Sequence, residues 1–230
     1  MSRKYKDYFD ISYMVEEAEQ KHICFVIAVS EDKDRGCGKT YSMSRLLYNK
    51  FVNNGDRFML FVRNVKQMGK VADGIFSKFL IQEHPDTVIQ EVVQNKGGYS
   101  EIYLITKNGE EQSKELFGYT ACLKNATDIK LFSSIFSAMN VRRFYMDEFM
   151  PLDGKYLPNE TDLMKTIYDS VNRDIEDLPI ILTANTISLG NPYFTMLKLN
   201  NKLQSNTKSL KTDTCIYENV EVEGLADKHI

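Results

Sequence analysis

The chain has 230 residues, with 29 Lys and Arg against 32 Asp and Glu, a net charge of −3 and 43% hydrophobic residues. Those values exclude intrinsic disorder, collagen and coiled coil, and they suit a globular chain with one sizeable core, as one large domain or two small ones. No apolar run approaches the ~20 residues that span a bilayer, no signal-peptide core follows the polar N-terminus, and Cys24, Cys37, Cys122 and Cys215 are too scattered for zinc or a disulfide framework. The expected setting is therefore cytosolic and reducing, with no membrane partner.

The first 20 residues read as a polar helix with a lead-in segment. Residues 23–29 are a continuous apolar run, the mark of a strand buried on both faces in a parallel sheet. A polar loop follows, and then Met43, Leu46, Leu47 and Phe51 mark one face of a helix stopped by Asn53-Asn54-Gly55. Residues 58–62 form a second buried strand ending at Arg63, and residues 65–82 read as a helix. Residues 87–93, 99–106 and 112–121 read as strands separated by Gly97-Gly98 and Asn108-Gly109, an antiparallel meander inserted into or edging the main sheet. Residues 144–146 start a short buried strand ending in Asp147-Glu148. A helix is expected over residues 159–172, with Asn159 as its N-cap, followed by a strand at 180–183 that ends at Asn185. A last strand is expected over 214–220.

Charge is unevenly spread. Residues 33–70 carry nine basic and two acidic side chains, residues 147–177 carry nine acidic and three basic, and residues 187–211 carry four lysines and no acid. Such blocks are either solvated faces or two functional surfaces of opposite sign, with phosphate and metal chemistry between them.

Strand, loop, Gly36-Cys37-Gly38-Lys39-Thr40, helix is the order that a phosphate-binding loop requires. Loop N–H groups and the positive end of the helix dipole surround an anion, and glycines let the backbone close on it. Lys39 would reach the β- and γ-phosphates of ATP, and the Thr40 hydroxyl would ligate Mg²⁺. The loop departs from the standard pattern, because Lys33 stands where its first glycine belongs and the loop is long. Arg35, inside the cradle, suits either a γ-phosphate contact in cis or a surface arginine. A second strand ending in a carboxylate completes such a site. Asp147 is assigned to the metal and Glu148 to the base that polarises a water for in-line attack. A Glu directly after the Asp points to the ASCE branch of P-loop NTPases. Asn185, ending the neighbouring strand, fits a sensor of the γ-phosphate, and is also a turn former. Arg173, ending the 159–172 helix, suits either an arginine finger or a cation on the helix dipole.

Phe25-Val26-Ile27, Arg35-Gly36-Cys37-Gly38-Lys39-Thr40, Phe61-Val62-Arg63, Asp147-Glu148-Phe149, Pro158-Asn159-Glu160 and Asn191-Pro192-Tyr193-Phe194 occur in that order. Over residues 20–195 they resemble the DNA-packaging ATPases of small tailed phages of the phi-29 type, compact relatives of terminase large subunits and of the HerA/FtsK translocases. The resemblance implies an α/β ASCE P-loop fold, with a mainly parallel sheet flanked by helices and a meander insert. It implies an ATP- and Mg²⁺-dependent motor driving double-stranded viral DNA through the portal of a preformed capsid. The motor would be a homo-oligomeric, pentameric ring docked on the procapsid in the host cytoplasm and not secreted. By position, Arg35 matches the family's loop arginine, Arg173 its arginine finger, and Lys66 a lysine at the subunit interface or pore, with Arg63 beside it. The resemblance also implies a motor domain over 1–200, then the start of a linker at 201–230 toward a nuclease-like domain. Two other readings are a conjugation or segregation motor of the same branch, and a nucleotide-binding assembly switch without turnover.

Overall fold

The apolar runs of the sequence become strands and its amphipathic runs helices, in the order α1 (Ser12–Lys21), β1 (Phe25–Val29), α2 (Lys39–Asn54), β2 (Arg57–Val62), α3 (Val71–Glu83), β3 (Thr87–Gln94), β4 (Tyr99–Asn108), β5 (Glu111–Cys122), α4 (Ala126–Ile129), α5 (Ser133–Ala138), β6 (Val141–Met146), α6 (Glu160–Val171), β7 (Ile180–Ala184), α7 (Pro192–Met196), β8 (Ser209–Lys211) and β9 (Cys215–Asn219). The computed structural model describes residues 8–31, 36–94, 98–172, 178–185, 188–204 and 206–221. The chain divides into two units. The first is Met1–Met43, Met146–Thr161 and Glu176–Ile230, and the second is Ser44–Tyr145 and Asp162–Ile175.

In the first unit the strand order is β7-β1-β9-β8. β1 is parallel to both neighbours, with Val26 opposite Ile181 of β7 and Ile216 of β9. That two-sided pairing is why its run has no polar alternation: Val26 to Val29 are fully buried. β8 closes the edge antiparallel to β9. α1 buries Met14, Val15 and Ala18 along one stripe and stops at His22, whose left-handed φ of 55° turns its N–H back to Ala18 O.

In the second unit the order is β3-β4-β5-β2-β6. β2 is parallel to β5 and β6, while β3, β4 and β5 form the expected antiparallel meander, which therefore edges this sheet. Its second turn uses Gly109 at φ 65°, a conformation that costs glycine nothing. Phe58, Phe76 and Phe117 meet with ring centroids 4.7 to 5.4 Å apart, and each contributes about 2 kcal/mol by burial. Gly118 makes room for them, since a Cβ there would lie 2.8 Å from the Phe58 ring.

Two expectations change, and the structure fills in stretches that the sequence left open. The helix expected over 65–82 is a single tight turn at Val65–Gln67 followed by α3, because Gly69 at φ 80° breaks the run. Asn159 has φ 54° and so lacks the extended backbone of an N-cap. The Glu160 carboxylate instead turns back to accept from Leu157 N–H at 2.8 Å. Residues 123–138, unassigned from the sequence, form α4, α5 and intervening tight turns. Residues after 200 carry β8 and β9, and β9, within the strand expected over 214–220, pairs along its whole length with β1. Among the described residues no helix is long and apolar enough to cross a membrane.

Candidate functional site

The C-terminal ends of β1 and β7, the strand end at Met146 and the first turn of α2 come together within the first unit. β1 hands over to a glycine loop that turns at Gly36, φ 87°, and Gly38, φ 98°. Both conformations favour glycine. Ser42 N–H donates to Gly38 O at 2.8 Å, so the helix starts directly on the loop. The first turn of α2 has no acidic side chain, which leaves its free N–H groups and dipole unopposed by charge.

Lys39 is the centre of the arrangement. Its Nζ donates to Ser30 Oγ at 2.6 Å and Asn185 Oδ1 at 2.9 Å, and it lies 3.3 Å from Cys37 Sγ. The side chain is only 5% exposed, and among the described residues no carboxylate pairs with it. A buried ammonium held by neutral atoms alone retains most of its desolvation cost, which an anion would offset.

Beside it, Thr40 Oγ1 donates to Asp147 Oδ2 at 3.0 Å. Asp147 Oδ1 accepts from Thr183 Oγ1 at 2.6 Å and from Glu148 N–H at 3.0 Å. Three donors thus fix the carboxylate's orientation. Hydroxyl and carboxylate oxygens facing each other are the hard donors that Mg²⁺ takes alongside water. Glu148 is exposed, with a left-handed φ of 51°, strained for a residue with a Cβ. The next residue re-enters the sheet, with Phe149 N–H donating to Thr183 O at 3.1 Å. Backbone strain of this kind concentrates at functional sites.

Of the residues singled out from the sequence, the structure brings together Gly36, Cys37, Gly38, Lys39, Thr40, Asp147, Glu148 and Asn185. Arg63 and Lys66 belong to the second unit, the first half-buried at the end of β2 and the second exposed on the turn after it. Arg35 and Arg173 lie outside the described residues. Ser30 and Thr183 were not foreseen. Both are fully buried polar residues at strand ends, and a hydroxyl adjoining each apolar run was the available signal. The Asn191-Pro192-Tyr193-Phe194 segment is structural. Asn191 caps α7, accepting from Phe194 N–H at 2.9 Å. Tyr193 OH donates to buried Glu160 at 2.6 Å, and Phe194 packs against Phe149 and Tyr217.

The profile of the podovirus DNA encapsidation protein (Gp16) family matches residues 8–224. The chain belongs to that family. The DNA packaging proteins of Bacillus phages PZA and phi29 are each 28% identical to it over 167 residues, 72% of this chain and 44% of theirs. That of Bacillus phage B103 is 26% identical over 162 residues. The chain thus spans under half the length of these relatives. Its fold is that of the N-terminal domain of the DNA packaging ATPase from bacteriophage phi29, with a TM-score of 0.65 at 22% identity, covering 93% of this chain and 96% of that one. A chain of the bacteriophage phi-29 viral genome packaging motor assembly gives 0.66 at 21% identity, covering 93% and 57%. Membership of the Gp16 family agrees with the role in viral DNA packaging read from the sequence, and the fold agrees with an α/β sheet of mostly parallel strands.

Proposed function

We propose that this Gp16-family chain is an ATP-hydrolysing motor unit of the ASCE P-loop class, which drives double-stranded viral DNA through a portal into a preformed capsid. The observation that carries the reading is Lys39, buried among neutral partners at a helix N-terminus and next to the Thr40–Asp147 pair. Bound Mg²⁺–ATP would supply the phosphoanhydride bond and a cation that neutralises its charge. Lys39 and the N–H groups of residues 36–40 would hold the phosphates, while Thr40 would ligate the metal and Asp147 would hold it through water. Glu148, exposed and next to the oriented aspartate, accepts a proton from the attacking water. Asn185 already contacts Lys39, so phosphate competing for that ammonium changes what its amide bonds to. In this reading Arg173 reaches a neighbour's site in a homo-oligomeric ring, a pentamer by resemblance, with Arg35 acting in cis and Lys66 and Arg63 facing DNA or the next subunit.

Phosphate release by the purified protein, with and without duplex DNA, tests the activity. Release that DNA stimulates and Lys39→Ala abolishes is expected. ATP binding without release would make the chain an assembly switch. The ring is tested by mixing Arg173→Ala with Glu148→Gln subunits, each inactive alone. Activity should partly return, because some interfaces then join an intact Glu148 to an intact Arg173. No return from assembled mixtures would rule out action in trans.

A further inference from the structure

The segment that precedes α1 lies on the glycine loop. Phe9 N–H donates to Cys37 O at 2.8 Å. The space that a Cβ on Gly38 would need is bounded by Tyr8, whose Cβ and Cδ1 lie 3.2 Å away. The segment is anchored immediately afterwards. Phe9 and Ile11 are buried, Ser12 N–H donates to Asp10 Oδ1 at 3.1 Å, and Ile11 N–H donates to Ser42 Oγ at 3.3 Å on the first turns of α2. Tyr8 is thus held from its C-terminal side through Phe9, yet its side chain is 63% exposed.

A residue that only covered a glycine loop would turn its apolar surface inward, as Phe9 does. Tyr8 lays its Cβ and Cδ1 against Gly38 but leaves most of its aromatic side chain to solvent at the rim of that loop. A purine joined to its phosphates through one ribose must leave the cradle close to that rim. From this juxtaposition we propose that Tyr8 is the stacking platform for the base of the bound nucleoside triphosphate. The inference rests on the nucleotide reading above. Stacking is tolerant of base identity, because every base has a π-face, so the platform fixes the base's position without selecting adenine over guanine. Holding the base also fixes the ribose and so the direction from which the phosphates enter the loop. Through the Phe9–Cys37 hydrogen bond, base occupancy and loop conformation are then mechanically joined.

Calorimetry on the purified protein with Mg²⁺ and three probes, ATP, GTP and inorganic tripolyphosphate, decides the matter. Tyr8→Ala should weaken ATP and GTP alike, by about tenfold, and leave tripolyphosphate unchanged. Tyr8→Phe and Tyr8→Trp should bind all three as the parent does. In turnover, Tyr8→Ala should raise the KM for ATP at nearly constant kcat. Equal weakening of tripolyphosphate and ATP would show that Tyr8 only shapes the loop and would overturn the proposal, as would unchanged ATP affinity. Failure of the parent protein to bind tripolyphosphate at all would instead remove the phosphate site itself. Unfolding midpoints for each variant separate lost binding from lost folding.

Discussion

Arg143 and Lys39 are cations buried to the same degree, each 5% exposed, in different units of the chain. Arg143, on β6, donates from Nη1 to Asp56 Oδ2 at 2.9 Å, and that carboxylate is itself only 16% exposed. Lys39 is surrounded by a serine hydroxyl, an asparagine carbonyl and a thiol. The first region carries its own counter-charge. Among the described residues, the second holds a charge in place without a carboxylate to neutralise it. Burial alone therefore does not mark a functional cation. What sets Lys39 apart is that its partners among the described residues are all neutral.

The largest expected effect lies beside the uncompensated charge. Glu148→Gln should slow ATP hydrolysis by about 100-fold or more while ATP still binds, since an amide cannot accept the water proton. Near-parental single-turnover rates would move the base elsewhere and weaken the functional side of the contrast. Next, Arg143→Ala leaves the partly buried Asp56 without its cation and should cost about 2 kcal/mol of stability, read by urea unfolding, with nucleotide affinity unchanged in protein that remains folded. Lys39→Met should do the reverse. Affinity for ATP should fall at least tenfold, about 1.4 kcal/mol, and stability should hold or rise, because a buried charge with only neutral partners among the described residues disappears. If Lys39→Met unfolds the protein as readily as Arg143→Ala, the two cations do not differ in kind. The smallest effect is expected from Thr183→Val, which removes one of three donors to Asp147. About 1 kcal/mol is at stake, seen as a roughly fivefold higher Mg²⁺ requirement for turnover.

Much of the chemistry was legible because it is local. Gly36 to Thr40 sit between an apolar run and an amphipathic run, and Asp147-Glu148 end another apolar run, so order and spacing alone placed them together. The meander was legible for the same reason, with a turn signal at Asn108-Gly109. What escaped depends on distant pairing. Nothing local to residues 209–219 says that β9 lies beside β1, some 190 residues earlier by its partner Phe25↔Cys215. Ser30 and Thr183 look like ordinary strand-end hydroxyls until Lys39 and Asp147 arrive from elsewhere. Gly69 reads as a tolerable helix glycine until its positive φ is seen. Asn159 reads as a cap because the residue type suits one, whereas its left-handed backbone and the Glu160 carboxylate, which joins Leu157 N–H to distant Tyr193, are set by the fold.

The left-handed backbone at Glu148 carries an implication for anyone trying to make this chain sturdier. A glycine there would relieve about 1 kcal/mol of conformational penalty, so a screen that rewards only thermal resistance should enrich Glu148→Gly. The same replacement deletes the carboxylate assigned to the water. Selection for heat tolerance and selection for DNA uptake should therefore pull this one codon in opposite directions, and a library sorted both ways would read out how strongly each acts.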